Sequence, residues 1–113
     1  MLYPSIYTCP VTKYKIEYII NPETHSALLN TILCDYKNIK AFMSLLRISI
    51  DGMNTLGIKT ILQTVAFEEW DLYLKGKTSW KIINTDNKNQ IYDIESTLDD
   101  FLSNYGIGIG ILE

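Results

Sequence analysis

The chain has 113 residues, of which 47% are hydrophobic and 20% are charged, and its formal net charge is −3. These proportions are typical of a globular domain with a hydrophobic core, and they exclude an intrinsically disordered protein. The 10 basic residues are outnumbered by 13 acidic ones, which argues against non-specific binding to a nucleic-acid backbone. We therefore expect one α+β domain over residues 1–113.

The lack of a recognisable targeting signal and the low number of cysteines predict a soluble cytoplasmic protein. No apolar run approaches the roughly 20 residues needed to span a bilayer, and the first residues lack the features of a secretory signal. Cys9 and Cys34 are expected to be reduced in that compartment. Basic charge is carried mainly by lysine, and isoleucine and asparagine are abundant. That bias is typical of an AT-rich genome, such as that of a large DNA virus, for which we expect a location in the host cytoplasm or virion.

The amino-terminal region predicts an irregular or edge segment over residues 1–12, followed by a half-buried strand. Pro4 and Pro10 disfavour regular structure in this segment. After Thr12, apolar positions alternate with charged ones, as expected for a strand with one wet face. The alternating apolar residues are Tyr14, Ile16, Tyr18 and Ile20.

Residues 24–34 fit two interpretations. Asn21 and Pro22 could cap and begin a helix. The same residues could instead form a hairpin turn that leads into a strand ending near Cys34. We favour the hairpin, because the preceding strand needs a partner.

The region around residues 39–55 predicts a long core helix. Its apolar residues recur at helical spacing and leave only a narrow polar stripe. They are Ile39, Ala41, Phe42, Met43, Leu45, Leu46, Ile48, Ile50 and Met53. Gly57 is suited to the left-handed position that ends such a helix, and the β-branched run 58–65 then predicts a buried strand.

The carboxyl-terminal half predicts two short helices, over residues 67–75 and 97–105, with strands near 78–84 and 90–95 between them. Ser96 and Asp99 resemble a capping box at the start of the second helix. Glycine and isoleucine alternate over 106–113, which predicts a tail or a short edge strand. The fold class is therefore α+β, with an antiparallel or mixed sheet of about four to six strands packed on the long helix and the two short ones.

The order of elements resembles that in the carboxyl-terminal part of acetyltransferases of the GNAT superfamily. In that family, a Gln/Arg-x-x-Gly-x-Gly/Ala loop binds acyl-CoA just before the long helix. The corresponding residues here are Cys34-Asp-Tyr-Lys-Asn-Ile-Lys40, which contain no glycine. The family's amino-terminal helices also have no counterpart. The resemblance covers element order alone, and it implies an acyltransferase-like enzyme or a small-ligand binder.

Few residues suggest catalysis or metal binding. His25 is the one histidine of the chain, and with Cys34 and Asp35 it could form a nucleophile, base and acid. Cys9, His25 and Cys34 could supply three zinc ligands, but they lack the close spacing of known zinc motifs. A turn position for His25 and burial of the cysteines account for the same residues. We predict no catalytic triad, no metal and no cofactor.

The function predicted from these observations is non-catalytic. We expect a small intracellular protein that acts through protein–protein contacts, with itself or another protein as partner. The candidate contact residues are Trp70, Trp80, Ile107, Ile109 and Ile111. The acyltransferase-like enzyme or ligand binder is the first alternative. A nucleic-acid-binding module, with stacking tyrosines beside Lys13 and Lys15, is the second.

Overall fold

The computed structural model describes residues 1–35 and 37–110. The chain forms two compact units, Met1–Lys59 and Thr60–Glu113. The first unit contains strands β1 (Tyr3–Thr8), β2 (Lys15–Asn21) and β3 (Ser26–Leu33), followed by helix α1 (Ile39–Thr55). The second contains β4 (Thr60–Ala66), α2 (Phe67–Glu69), a π-helical segment (Trp70–Leu74), β5 (Lys81–Asp86), β6 (Ile91–Thr97) and α3 (Leu98–Gly108).

In the first unit, the three strands form an antiparallel meander in the order β1-β2-β3. Tyr3–Thr8 pair with β2 along their whole length, so for these residues the edge interpretation is correct and the irregular one is not. Pro4 is compatible with this strand because β1 pairs on one side with β2, and a proline without an N–H is tolerated where no ladder bond is required.

The hairpin interpretation of residues 24–34 is correct. β2 and β3 are antiparallel, and His25 lies in the turn with a φ of 53°. The register shifts between Glu17 and Tyr18, so that Asn30 bulges out of the ladder. The Asn30 amide donates a hydrogen bond of 2.7 Å to the Glu17 carboxylate across this bulge.

The core of the first unit lies between α1 and the face of the sheet that carries Ile16, Tyr18 and Ile20. These three side chains are at most 1% exposed, and Phe42 and Leu46 of α1 are fully buried. Burying a side chain of this size contributes about 1.5–3 kcal/mol. The predicted core helix is therefore confirmed, although Ile39 and Ile48 remain 46% and 57% exposed.

The carboxyl end of α1 follows the prediction from Gly57. This glycine has a φ of +79°, and its N–H donates to the Asn54 carbonyl. The next N–H, of Ile58, donates to the Met53 carbonyl. This pair of bonds closes the helix in the way expected of a glycine cap.

In the second unit, the strand order is β4-β6-β5, with antiparallel pairing throughout. The core of this unit includes the buried Ile61, Val65 and Ile94 of the sheet and Phe101 of α3, which is fully buried. Trp80 packs edge-to-face on Phe101 with ring centroids 6.0 Å apart. The aromatic pair therefore anchors α3 to the unit.

Two predictions at the ends of α3 are wrong. The cap is Thr97, not Ser96, because the Thr97 hydroxyl accepts the Asp100 N–H at 3.1 Å. The glycine-isoleucine alternation does not form a strand through Gly110, since α3 continues to Gly108. Residues 111–113 lie outside the described part of the chain.

The α+β fold class is confirmed. The described residues form six strands, three in each unit, together with the long helix α1 and the shorter helices predicted near 67–75 and 97–105. The first of these short helices is α-helical only to Glu69 and π-helical from Trp70 to Leu74. Within the described ranges, no helix is both long enough and apolar enough to cross a membrane.

Candidate functional site at the amino end of α1

The amino end of α1 has backbone N–H groups, those of Ile39 and Lys40, with no acceptor among the described residues. The first N–H groups of a helix have no intrahelical acceptor. Asn38 caps the helix and accepts the Ala41 N–H on its side-chain oxygen at 3.3 Å. This leaves the N–H groups of Ile39 and Lys40 available at the positive end of the helix dipole. No acidic residue lies in the first turn to neutralise that end.

The loop that leads into α1 is shaped by Asp35. Its carboxylate accepts the Lys37 N–H at 2.9 Å, and its carbonyl oxygen accepts the Asn38 N–H at 3.0 Å. Lys37 and Lys40 are exposed on either side of the cap. Two lysines and one aspartate therefore leave a net positive charge beside the free N–H groups, which suits an anion.

A pocket of about 330 Å³ lies beside this helix end, between α1 and the β1–β2 loop. The loop contributes Cys9, Pro10 and Val11, and α1 contributes Ala41, Leu45 and Ile48. Its volume falls within the range of small-molecule sites in proteins. Asn38 also lines the pocket, so the apolar walls adjoin the polar end of the helix.

Cys9 contributes a thiol to the lining of this pocket. Its side chain is half-buried and is not in a disulfide. Hydrogen bonds from the Thr12 hydroxyl and from the backbone N–H groups of Val11 and Thr12 hold the pKa of the Cys9 thiol below its ordinary value. A thiol in such surroundings carries more thiolate at neutral pH than a free cysteine does.

The second unit has a separate, smaller polar pocket of about 170 Å³, whose lining includes Ser79, Ser96 and Asp100. Asn104, only 3% exposed, lies beside these groups. It accepts the Ser79 N–H at 2.8 Å and donates to the Ser96 hydroxyl at 2.8 Å. These bonds satisfy the amide, which therefore serves the structure of the unit and does not present an open binding group.

The π-helical segment Trp70–Leu74 is another unusual feature of the second unit. Such segments are rare in proteins, and those that occur are often found at functional sites. Tyr73, within it, is 54% exposed. Next to the segment, partial burial raises the pKa of the Glu69 carboxyl. The periodicity of residues 67–75 predicted a helix and contained no signal for the π-helical turn.

The structure does not bring together the candidate catalytic residues His25 and Cys34. They flank β3 at its opposite ends, about 30 Å apart for nine extended residues. Asp35 is engaged in the loop before α1. His25 is exposed in the β2–β3 turn. A nucleophile, base and acid arrangement from these three residues is therefore wrong.

The other candidate residues are also dispersed. Among the described residues, no group of three or more histidine, cysteine or acidic side chains is placed to hold a metal ion, so Cys9, His25 and Cys34 do not form a site. Trp80 is buried, and Trp70, Ile107 and Ile109 are half-buried. Ile111 lies outside the described residues. Tyr18 is fully buried and cannot stack on a nucleic-acid base beside the exposed Lys13 and Lys15.

Comparison with solved structures yields several matches at a probability of 1.00. A spermidine/spermine N-acetyltransferase from Vibrio cholerae superposes with a TM-score of 0.52 at 19% identity, over 81% of this chain and 60% of that one. A dodecameric spermidine N-acetyltransferase from the same organism gives 0.51 at 18%, over 79% and 59%. An acetyltransferase from Bacillus cereus gives 0.52 at 10%, over 86% and 73%. The fold is similar to that of these acetyltransferases.

Two further results define the extent of this likeness. The chain spans about 60% of the length of the two Vibrio cholerae enzymes. No protein-family model matches the sequence, and no curated protein matches it either.

The prediction of a non-catalytic protein that acts through protein–protein contacts is wrong. The similar structures named above are acetyltransferases, and they favour the alternative, an acyltransferase-like enzyme or ligand binder. A viral source and an AT-rich genome stay predictions.

Proposed function

We propose that the protein binds an acyl-CoA and transfers its acyl group to an amine. The observation that carries this proposal is the GNAT-like fold shared with acetyltransferases. The amino end of α1 supports it, because this is the helix that follows the loop corresponding to the family's acyl-CoA loop. Fold alone does not imply function, so the proposal depends on whether this end of α1 can hold a phosphate-bearing ligand.

The chemistry of the loop before α1 fits an anion but departs from the family pattern. Glycines allow a backbone to approach a phosphate closely, and residues 34–40 contain none. The remaining attraction comes from the N–H groups of Ile39 and Lys40 and from the charges of Lys37 and Lys40. The two lysines should therefore carry a larger share of the binding free energy than they would beside a glycine-rich loop.

The proposal is tested by calorimetric titration of the protein with CoA at low ionic strength. We expect the double variant Lys37→Glu/Lys40→Glu to weaken binding by about tenfold or more, the value of one or two lost charge-assisted hydrogen bonds. Lys88→Glu, in the exposed β5–β6 turn, is the control for a change of charge and should bind as the wild type does. Absence of CoA binding by the folded wild type would contradict the proposal.

The acceptor is proposed to be a primary amine of a small molecule. The basis is that two of the similar structures, both from Vibrio cholerae, are spermidine N-acetyltransferases. Incubation with acetyl-CoA and a panel of amines, including spermidine, followed by measurement of released CoA, tests this point. If CoA binds but no amine increases its release, the ligand-binding part stands and the transferase part fails.

We also propose that the protein self-associates, as one of the similar enzymes is dodecameric. β5 pairs within its unit with β6, and its residues Ile82 and Ile83 are 41% and 49% exposed. An exposed strand with apolar side chains can pair with another chain. Light scattering should show an oligomer that Ile83→Lys reduces, with Asn87→Lys in the adjoining turn as control. A wild-type monomer at high concentration would contradict this proposal.

A further inference from the structure

β5 is the outer strand of the sheet in the second unit. It pairs on one side with β6, and no strand among the described residues pairs with its other side. The backbone groups along such an edge can pair with a strand of another chain. Ile82 and Ile83 on this strand are 41% and 49% exposed, so the pairing would also remove apolar surface from water.

A β-bulge changes the direction of the side chains along β5. The register passes from Ile82 directly to Asn84, so that Ile83 has no partner on β6. In a strand without a bulge, residues five positions apart point to opposite faces of the sheet. With one extra residue between them, Lys81 and Asp86 instead point to the same face.

The partners of Lys81 and Asp86 on β6 agree with this shared face. Lys81 lies opposite Glu95. Asp86 lies opposite Ile91, which is four positions away on a strand that pairs with β4 without a register shift. Lys81 is exposed, and hydrogen bonds from Asn89 hold the pKa of Asp86 below its ordinary value. β5 therefore carries a positive charge at one end and a negative charge at the other, on one face.

We infer that β5 pairs with β5 of a second copy, antiparallel and around a two-fold axis close to Ile83 and Asn84. This inference rests on the proposed self-association, and it specifies the interface and its register. Lys81 of each copy then lies opposite Asp86 of the other. A contact across a two-fold axis occurs twice, so the dimer gains two pairs of opposite charge. The same charge at both ends of the strand would instead repel a second copy.

The uncharged side chains of β5 fit the same register. Ile82 of one copy lies opposite Thr85 of the other. Both point to one face of the sheet, because their partners on β6, Ile94 and Tyr92, are two positions apart. A register shifted by one position would set Lys81 opposite Thr85, on the other face, and would lose both charge pairs.

Charge reversal at the two ends of β5 tests this interface. Lys81→Asp and Asp86→Lys each set like charges opposite one another twice, and each should raise the dimer dissociation constant by about tenfold or more. A mixture of the two variants restores both pairs of opposite charge, so a heterodimer should form with about the wild-type affinity. Analytical ultracentrifugation measures these masses. Lys88→Asp, in the exposed β5–β6 turn, is the matched control and should dimerise as the wild type does.

Salt dependence provides a second measurement that leaves Asp86 and its hydrogen bonds to Asn89 in place. Salt screens exposed charges, whether they attract or repel. The wild-type dimer should therefore weaken as the salt concentration rises, whereas the dimer of Lys81→Asp should become stronger. Thermal unfolding of each variant establishes that it is folded.

The outcomes separate this inference from the proposed function. Weak dimers of the single variants, together with a heterodimer in their mixture and opposite responses to salt, support the inference. A dimer that Ile83→Lys weakens but Lys81→Asp does not, or single variants that the mixture fails to rescue, overturn the register and leave self-association standing. A wild type that stays a monomer overturns both. Acyl transfer is tested separately, by the titration with CoA.

Discussion

The ring of Tyr7 occupies the space that a side chain at Gly52 would need. A Cβ atom added to Gly52 would lie 2.6 Å from Cε1 of Tyr7 and closer still to its hydroxyl oxygen. Tyr7 is also held by Tyr18, with an edge-to-face arrangement and ring centroids 6.2 Å apart. A glycine inside α1 therefore allows β1 to pack closely on the helix.

We expect Gly52→Ala to lower the free energy of unfolding by about 1–2 kcal/mol, although alanine is the better helix former by about 1 kcal/mol. The reason is the displacement of the Tyr7 ring. Urea denaturation measures the change. In a Tyr7→Ala background, the same substitution should become stabilising, and an equal effect in both backgrounds would show that the two residues are not coupled.

We expect the protein to lose stability at alkaline pH because Tyr18 is buried. Burial raises the pKa of Tyr18 well above its ordinary value, although its hydroxyl has a hydrogen bond of 2.8 Å with Ser49. A raised folded-state pKa stabilises the protein below the unfolded pKa near 10, and this contribution is lost as the pH rises further. Tyr18→Phe should cost about 1 kcal/mol at pH 8.

The measurement is urea unfolding of both proteins from pH 8 to pH 11. The other tyrosines and the lysines are common to the two, so the difference between the curves reports Tyr18. We expect the two stabilities to converge above pH 10. Curves that stay parallel throughout this range would mean that Tyr18 ionises as easily in the folded protein as in the unfolded one.

Asn104 should be essential to the stability of the second unit. Asn104→Ala removes the acceptor of the part-buried Ser79 N–H and the donor to the buried Ser96 hydroxyl, at a cost of about 1–3 kcal/mol. Asn104→Asp should cost more at neutral pH, because it buries a charge, and should recover part of its stability as the pH falls and the carboxyl is protonated. Urea unfolding at pH 7 and pH 4.5 tests both, with the exposed Ser103→Ala as control.

Thr97 should stabilise α3 through its cap. Thr97→Ala removes the acceptor of the Asp100 N–H and should lower the free energy of unfolding by about 1 kcal/mol. Thr97→Ser keeps the hydroxyl and should preserve most of the stability. Thermal unfolding measures both variants. Equal losses in the two would point to the Thr97 methyl group and not to the cap.

The short-range signals in the sequence were sufficient for most elements. The apolar periodicity of residues 39–55 predicted α1 with its bounds, since side chains three and four apart share a helix face whatever the rest of the fold. Gly57 predicted the end of that helix, because a left-handed residue is needed there. The cap of α3 was missed by one residue, since Ser96 and Thr97 both carry a suitable hydroxyl and only the geometry distinguishes them.

The candidate site was not predictable in the same way. Cys9 and Ala41 are 32 positions apart, and only the packing of the β1–β2 loop beside α1 makes them walls of one pocket. His25 and Cys34 are close in sequence but lie at the two ends of an extended strand. Residues close in the sequence are therefore not necessarily close in the fold. The pocket depends on contacts between distant residues, which no short stretch of sequence predicts.

The sequence by itself determined the α+β class, the hairpin and the long helix, because these follow from periodicity, turn residues and caps within a few positions of each other. The tertiary structure decided the pairing of β1 with β2, the contact of Tyr7 with Gly52 and the pocket beside the amino end of α1. These features join residues far apart in the chain, and their free energy arises from packing. A short stretch of sequence cannot predict them, because they exist only when the strands and α1 pack together.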